Sequence, residues 1–319
     1  MDVVGVGALN VDLLYEVPSL RFGAMEITPG SKTYGTEEAF RELLSEVSRS
    51  GQLMGRSGGG SAANTVYALS RMGYRTAFLG VIGKDEEGKF IQSSMGGVDL
   101  TRIKRHKRSG KCLSLLADGD RSLLVLPNAN DLFSYSEEDI EFLNDARFVH
   151  MGSFAADSAL ASQKMLLEYL DDDVYVSFSP GELYARRGMK QLAPILERTR
   201  ILFLNSNEME LLTGKGPEEG ARVLLDSGPR VVVCTRGGDG SYIVSRNSEI
   251  AVPAKRTVVK DATGAGDVYA AGFLAGYLDG ATLEVCGEIG SAAAALSVAS
   301  YGREGYPDER FLRRFAKVM

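Results

Sequence analysis

Histidine and cysteine are scarce in this chain: His106 and His150 are the two histidines, and Cys112, Cys234 and Cys286 the three cysteines, among 319 residues. Two histidines supply a hydrolytic triad poorly, and "GGSAA" from Gly59 lacks the second glycine of a nucleophile elbow. The cysteines are odd in number and have no CxxC spacing. That argues against a disulfide framework or a structural zinc site, and fits a reducing cytoplasm. Long apolar runs are missing too. "SAAAALSVAS" is too short and too rich in small residues to span a bilayer. The first residues, "MDVVGVGALNVDLL", lack a basic n-region and are broken by Asp2, Asn10 and Asp12, so no signal peptide is expected. There is no Pro/Ser linker, internal repeat or low-complexity tract. A formal net charge of −6 gives no general affinity for nucleic acid or an anionic membrane. The basic run "RIKRHKR", Arg102–Arg108, is the local exception, and is expected to be a solvated loop.

What is present is globular: 44% hydrophobic and 24% charged residues provide for a sizeable core. "VVGVGAL" from Val3 reads as a buried strand, and "VDLLYEV" as a second, more exposed one. From Thr36, Phe40, Leu43, Leu44 and Val47 recur at helical spacing, with Thr36 as N-cap and Gly51 as stop. A helix over "SAANTVYALSRMG" and a strand over "RTAFLGVIG" follow. Strands and helices then alternate: "RFVHMGSF", a helix from Ser158, "VYVSFS", a helix from Ala185, "RILFLN", a helix from Ser206, and "RVVVCTR". After a hairpin over "GSYIVSRNSEIAV" the rest is helical: Gly266 to Leu278, Leu283 to Ala299, and a last helix beyond Pro307. Such alternation predicts an α/β fold, a mostly parallel sheet flanked by helices, over residues 1–319. The early exposed strand and a hairpin turning at Asp118-Gly119-Asp120 do not belong in that sheet. They predict a small β lid inserted at about 11–35 and 98–128.

Two nucleotide signatures fail on inspection. "GVGALN" has Asn10 where a dinucleotide fingerprint needs its third glycine. "GKDEEGKF" puts Phe90 where a P-loop needs Ser or Thr, and would aim Asp85, Glu86 and Glu87 at phosphates. The glycine clusters carry more. "SGGGSAANTVYAL" joins a flexible turn to a helix start, with Asn64 in the first turns. "TRGGDGSYI" follows a buried strand at the carboxyl end, where open α/β sheets bind ligands. "NSNEMELLTG" sets Asn205 and Glu208 three apart, a spacing that commonly marks a helix cap. In "KDATGAGDVYAAGF", Lys260–Phe273, an acid follows Gly264-Ala265-Gly266 at a helix start. Free N–H groups there can hold an anion beside Asp267.

Taken in order, "GALNVD", "GGGSAANTVYALSRMG", "GVIGKDEEGKF", "NSNEMELLTG", "TRGGDGSYI" and "DATGAGDVYAAGFLAGYL" resemble the ribokinase-like, PfkB-type carbohydrate kinases, from Val3 to about Pro307. The last motif is the most specific. The resemblance implies an α/β core with a β lid and an ATP-dependent, magnesium-requiring phosphotransferase acting on a hydroxyl of a sugar or nucleoside. By the same resemblance Asp267 is the general base, and Gly264, Ala265 and Gly266 form the anion hole. Asn205 and Glu208 organise magnesium and phosphates, Glu208 through water. Thr235, Gly237 and Gly240 lie beside the nucleotide, and Asp12, Gly59, Gly60 and Asn64 hold acceptor hydroxyls. Asp261 shapes the turn or assists a monovalent cation such as K+, and paired lids make a homodimer. Departures are Ser177 and Ser179, in place of phosphate-placing polar groups, and a long segment from Leu20 to Arg56 that is similar to adenosine-kinase-type members. The acceptor stays open, with a sugar-phosphate kinase or a non-catalytic ligand sensor as alternatives. So does the choice of ATP against ADP or GTP.

Overall fold

The structure is a computed structural model and describes residues 1–22, 25–29, 31–117 and 120–315. Its centre is the fully buried strand Val3–Val6, paired in parallel with Thr76–Ile82 on one side and Phe148–Met151 on the other. Beyond Phe148–Met151 the sheet continues in parallel through Tyr175–Phe178, Thr199–Asn205 and Val231–Thr235. It ends in the antiparallel strands Ser241–Ser245 and Ser248–Val252. Successive side chains of a strand face opposite ways, so Val3 joins the core on one face and Val4 the core on the other. The chain leaves Val3–Val6 toward one edge and resumes on its other side at Phe148. That reversal opens a crevice at the carboxyl ends of the two strands, the place where such sheets bind ligands.

Helices Ser61–Arg71, Ala265–Leu278 and Leu283–Ser297 cover one face, and Asp157–Leu167, Met189–Arg198 and Pro217–Asp226 cover the other. Ala265–Leu278 is apolar on every side because it is buried between the sheet and Leu283–Ser297. A Cβ on Gly272 would come within 2.9 Å of the Ala293 side chain and the Ile289 carbonyl, so glycine sets how closely these two helices approach. The expected helix from Ala185 is split into Gly181–Ala185 and Met189–Arg198, because Gly188 takes a φ of 78° between them. "GKDEEGKF" is a helix start: the Asp85 carboxylate accepts from the Gly88 and Ser109 amides, both at 2.9 Å.

A second sheet of five strands lies in the order Lys32–Tyr34, Asp120–Leu126, Gly110–Ala117, Asn10–Glu16, Gln52–Gly59. This is the lid. One of its faces is covered by the helix Glu37–Ser50, whose Phe40, Leu43 and Val47 pack on Val17, Leu113, Leu115 and Leu126. Thr36 caps that helix by accepting from Ala39 N–H. The long early segment is thus a cover for the lid. Two boundaries differ from the sequence reading. Gln52–Gly59 is a lid strand although it has no alternating pattern, since pairing with Asn10–Glu16 makes it one. Val98–Asp99 and Ile103–Arg105 pair with Thr76–Ile82 at the edge of the main sheet and not with the lid. Asp118 and Gly119 of the expected hairpin turn lie outside the described residues.

Candidate active site

At the start of Ala265–Leu278, Gly264 is the N-cap with φ 71° and ψ 4°, a left-handed conformation natural to glycine. The N–H groups of Gly264, Gly266 and Asp267 have no acceptor among the described residues, while Ala265 N–H turns back to the Ala262 carbonyl at 3.3 Å. Of the three donors expected at this turn, Gly264 and Gly266 remain free and Ala265 does not; Asp267 N–H is a further free donor at the positive end of the helix. Asp267 projects from the first turn. Its Oδ1 accepts from Ser61 Oγ at 2.6 Å and its Oδ2 from Asn64 Nδ2 at 2.8 Å. Burial raises its pKa above the ordinary aspartate value, against the pull of those two hydrogen bonds.

The helix Ser61–Arg71 that supplies both partners enters through Gly60, whose φ is 108°; a Cβ there would lie 2.0 Å from the Ala8 carbonyl. A Cβ on Gly59 would lie 2.2 Å from both carboxylate oxygens of Asp12, so the missing side chain is what makes room for that acid. Asp12 Oδ1 is buried without a hydrogen-bond partner. Burial pushes the Asp12 pKa up to about 6, with Arg121 and Arg303 pulling the other way. Asn64 is less free than expected. Its Oδ1 already accepts from Arg303 Nε at 3.0 Å, and one Nδ2 hydrogen goes to Asp267. A cavity of about 430 Å³ opens here, with Asp12, Asn64, Tyr67, Arg121, Thr263 and Arg303 in its wall. Asp267 does not itself line it but is hydrogen-bonded to Asn64, which does.

On the other half of the crevice, Asn205 and Thr235 are direct neighbours at the carboxyl ends of adjacent parallel strands. Asn205 and Glu208 form a reciprocal capping box: Glu208 N–H donates to Asn205 Oδ1 at 2.9 Å and Asn205 N–H to Glu208 Oε2 at 3.0 Å. The cap is thus real, and it fixes Glu208 at the strand end. Burial pushes the Glu208 pKa up to about 7, the Asn205 N–H opposes this, and the charge of Asp267 adds to it. Gly237 and Gly240 take φ of 55° and 86° around a turn closed by Arg236 N–H to the Gly240 carbonyl. None of Asn205, Glu208, Thr235, Gly237 and Gly240 lines the cavity beside Asp12 and Asn64.

Sequence reasoning missed Ser61 and the arginines of the cavity wall, Arg56, Arg71, Arg121 and Arg303, which come from four separate segments. The basic run is elsewhere. Arg102 and Lys104 pair with Glu138 and Asp139, and Arg108 pairs with Glu37. Asp261 accepts from Thr263 N–H and Gly302 N–H and pairs with Arg121, so it does shape the turn. Ser177 is buried in the sheet, its Oγ 2.9 Å from His150 Nδ1.

A crevice of this kind, with a buried carboxylate and free amides at one helix start, suits the chemistry of a phosphotransferase. The family model described as pfkB family carbohydrate kinase matches residues 22–308. The chain belongs to that family, whose members are phosphotransferases acting on an alcohol group. It is 36% identical over 247 residues to an uncharacterized sugar kinase of Archaeoglobus fulgidus, covering 75% of this chain and 98% of that one. It is 31% identical over 255 residues to an ATP-dependent ribose-1-phosphate kinase of Halopiger xanaduensis, covering 78% of this chain and 82% of that one. The fold matches adenosine kinase from Sinorhizobium meliloti with a TM-score of 0.88 at 22% identity, over 99% of both chains. Among the described residues no helix is long and apolar enough to cross a membrane.

Proposed function

We propose that the protein transfers the γ-phosphate of ATP to a hydroxyl of a sugar or nucleoside, with Asp267 as general base. The observation that carries this is the placing of Asp267 beside free N–H groups at one helix start, hydrogen-bonded to Asn64 in the wall of a cavity of small-molecule size. Asp267 takes the proton of the acceptor hydroxyl as its oxygen bonds to the γ-phosphorus, and the bond to the bridging oxygen breaks to release ADP. A raised pKa makes Asp267 a stronger base than an ordinary aspartate. The N–H groups of Gly264 and Gly266 face the charge that builds on the phosphoryl oxygens, and Ala265 closes the turn that presents them. Asp12, seated in the space left by Gly59, accepts from acceptor hydroxyls, Gly60 turns the chain into the helix Ser61–Arg71, and Asn64 orients Asp267.

Asn205, Thr235, Gly237 and Gly240 bound the nucleotide side. Magnesium, when bound, neutralises phosphate charge. Among the described residues no three His, Cys, Asp or Glu side chains gather into a metal site, so the ion would take phosphates and water as ligands, with Glu208 accepting from that water. Asp261 is committed to Arg121 and the turn, which leaves it little freedom to bind K+. Lid edges at Gln52–Gly59 and Lys32–Tyr34 suit pairing of two chains. Three unpaired thiols suit a cytoplasmic setting.

The test is ATP consumption by the full chain, with magnesium, with and without a panel of free and phosphorylated sugars and nucleosides. Acceptor-dependent ADP release is expected; binding without turnover for every acceptor and donor would mark a sensor.

A further inference from the structure

The cavity wall is richer in unsatisfied cationic groups than a neutral sugar requires. Arg303 is only 8% exposed. It spends Nε on Asn64 and Nη1 on the Ser94 carbonyl at 3.2 Å and Met95 Sδ at 3.3 Å, and its plane lies 4.8 Å from the Tyr67 ring. Its Nη2 is buried with no partner, and so are Nε of Arg71 and Nε of Arg121. Arg121 at least has Asp261 against its charge at 2.7 Å. No carboxylate among the described residues lies within 4.0 Å of Arg303, Arg71 or Arg56. The other acids of the wall are Asp12, which faces Gly59, and Glu304, which is exposed. Buried cations in proteins are normally paired. Arg303 is the buried one, with Asp12 as the wall acid that acts on its charge, while Arg71 is half-buried and Arg56 exposed, so an anionic ligand would give all three a partner.

The same helix supplies a ruler. Asn64, Tyr67 and Arg71 lie at i, i+3 and i+7 on one face of Ser61–Arg71, and all three line the cavity. At about 1.5 Å per residue, Tyr67 stands about 4.5 Å and Arg71 about 10.5 Å along the axis from Asn64. Arg303 touches Asn64 through Nε at 3.0 Å and reaches over Tyr67, so its free Nη2 lies next to the group that orients Asp267, and Arg71 lies about two turns along the helix. That range matches the span of a pentose or hexose between a reacting hydroxyl and a substituent at its far end.

We propose that the acceptor is a sugar monophosphate, its phosphate held between Arg303 and Arg71 with Arg56 closing over it from the lid. This rests on the kinase reading above and narrows its substrate class. Arg303 comes from the loop Tyr301–Tyr306, Arg71 from a helix end, and Arg56 from the lid strand Gln52–Gly59, where it lies 4.0 Å over the Phe90 ring. A tetrahedral phosphate offers acceptor oxygens to donors converging from three directions, whereas a planar carboxylate suits one guanidinium fork. The basic run Arg102–Arg108 has no part in this clamp: none of it lines the cavity, and Arg102, Lys104 and Arg108 are matched by acids elsewhere.

The experiment uses the full chain with ribose 1-phosphate, ribose 5-phosphate, fructose 1-phosphate and fructose 6-phosphate. They are set against free ribose and fructose, adenosine, cytidine and gluconate, all with ATP and magnesium. The expected result is a kcat/KM for one sugar phosphate at least about a hundredfold above its dephosphorylated form, as for a buried charge-assisted contact. Arg71→Gln and Arg56→Gln should each raise KM for that acceptor, Arg71→Gln by about 10- to 100-fold, with Arg71→Lys recovering part of the loss. Binding is read separately by thermal shift with the same compounds without nucleotide. A shift with sugar phosphates, lost in Arg71→Gln, upholds this proposal even if no phosphate is transferred, in which case the kinase reading fails alone. Turnover that favours a free sugar, a nucleoside or gluconate overturns the proposal and leaves the kinase reading standing. So does a KM unchanged in both arginine variants.

Discussion

Arg121, on the lid strand Asp120–Leu126, donates from Nη1 to Asp261 Oδ1 at 2.7 Å, and the Asp261 side chain is 8% exposed. The same carboxylate accepts from Thr263 N–H at 3.0 Å and Gly302 N–H at 3.3 Å. The lid is thereby tied to the turn that presents Gly264–Asp267 and to the loop that carries Arg303. Removing one member of a buried pair strands the other charge. Arg121→Gln is expected to lower kcat/KM by about 10- to 100-fold and to speed amide hydrogen exchange at 261–266, measured by mass spectrometry. Unchanged exchange there would show that the lid and the turn are independent.

Asp267→Asn keeps the size of the side chain and its place between Ser61 and Asn64 but removes the base. Phosphorylation should fall by about 10²–10⁴ with nucleotide binding nearly unchanged. Since burial raises the Asp267 pKa, the acid limb of the wild-type kcat/KM profile should lie above the ordinary aspartate range. Wild-type turnover in the variant removes Asp267 from the mechanism.

Gly59→Ala adds a Cβ where both Asp12 oxygens now lie, at 2.2 Å. Asp12 can swing aside at little cost to the fold, so the expected outcome is a near-normal melting temperature with an acceptor KM raised about tenfold or more, the loss of a charge-assisted hydrogen bond. A titration with ATP at saturating acceptor should change far less. Equal effects on both substrates would mean that Asp12 does not act on the acceptor.

Glu208→Gln keeps an oxygen that can accept from Asn205 N–H, so the cap survives while the negative charge is lost. The magnesium titration should move to higher concentration. The variant also bears on stability. The Glu208 pKa stands at about 7, raised chiefly by burial, so folding favours the neutral form. Stability from this group is then fully present below the ordinary glutamate pKa and lost as pH rises through about 7. Melting curves from pH 5 to 8 should fall less steeply for Glu208→Gln than for wild type. Superimposable magnesium titrations would leave Glu208 a helix cap and nothing more.

The lid presents two edge strands, and Leu53 on one of them is 50% exposed. Association of two chains through these edges is expected, since pairing covers open N–H and C=O groups. Sedimentation should show a dimer that Leu53→Lys weakens. A monomer at all concentrations disposes of the idea.

Local chemistry made much of this legible in the sequence. Parallel strands announce themselves as β-branched runs, and the glycine turns at Gly60, Gly240 and Gly264 were marked because few residues other than glycine adopt their positive φ values. The pairing of Asn205 with Glu208 follows from a three-residue spacing and forms within one helix turn. Tertiary structure decided what no spacing encodes. Gln52–Gly59 became a strand through its neighbour, and 98–105 went to the main sheet because Thr76–Ile82 offered a free edge there. Ser61 became a partner of Asp267 across 206 positions of chain. Above all, Arg56, Arg71, Arg121 and Arg303 stand far apart in sequence, and each alone is an ordinary surface residue. They face one cavity only because the lid, a helix end and a loop near residue 303 fold over the same crevice, where Arg121 meets Asp261 and the other three have no carboxylate within 4.0 Å among the described residues.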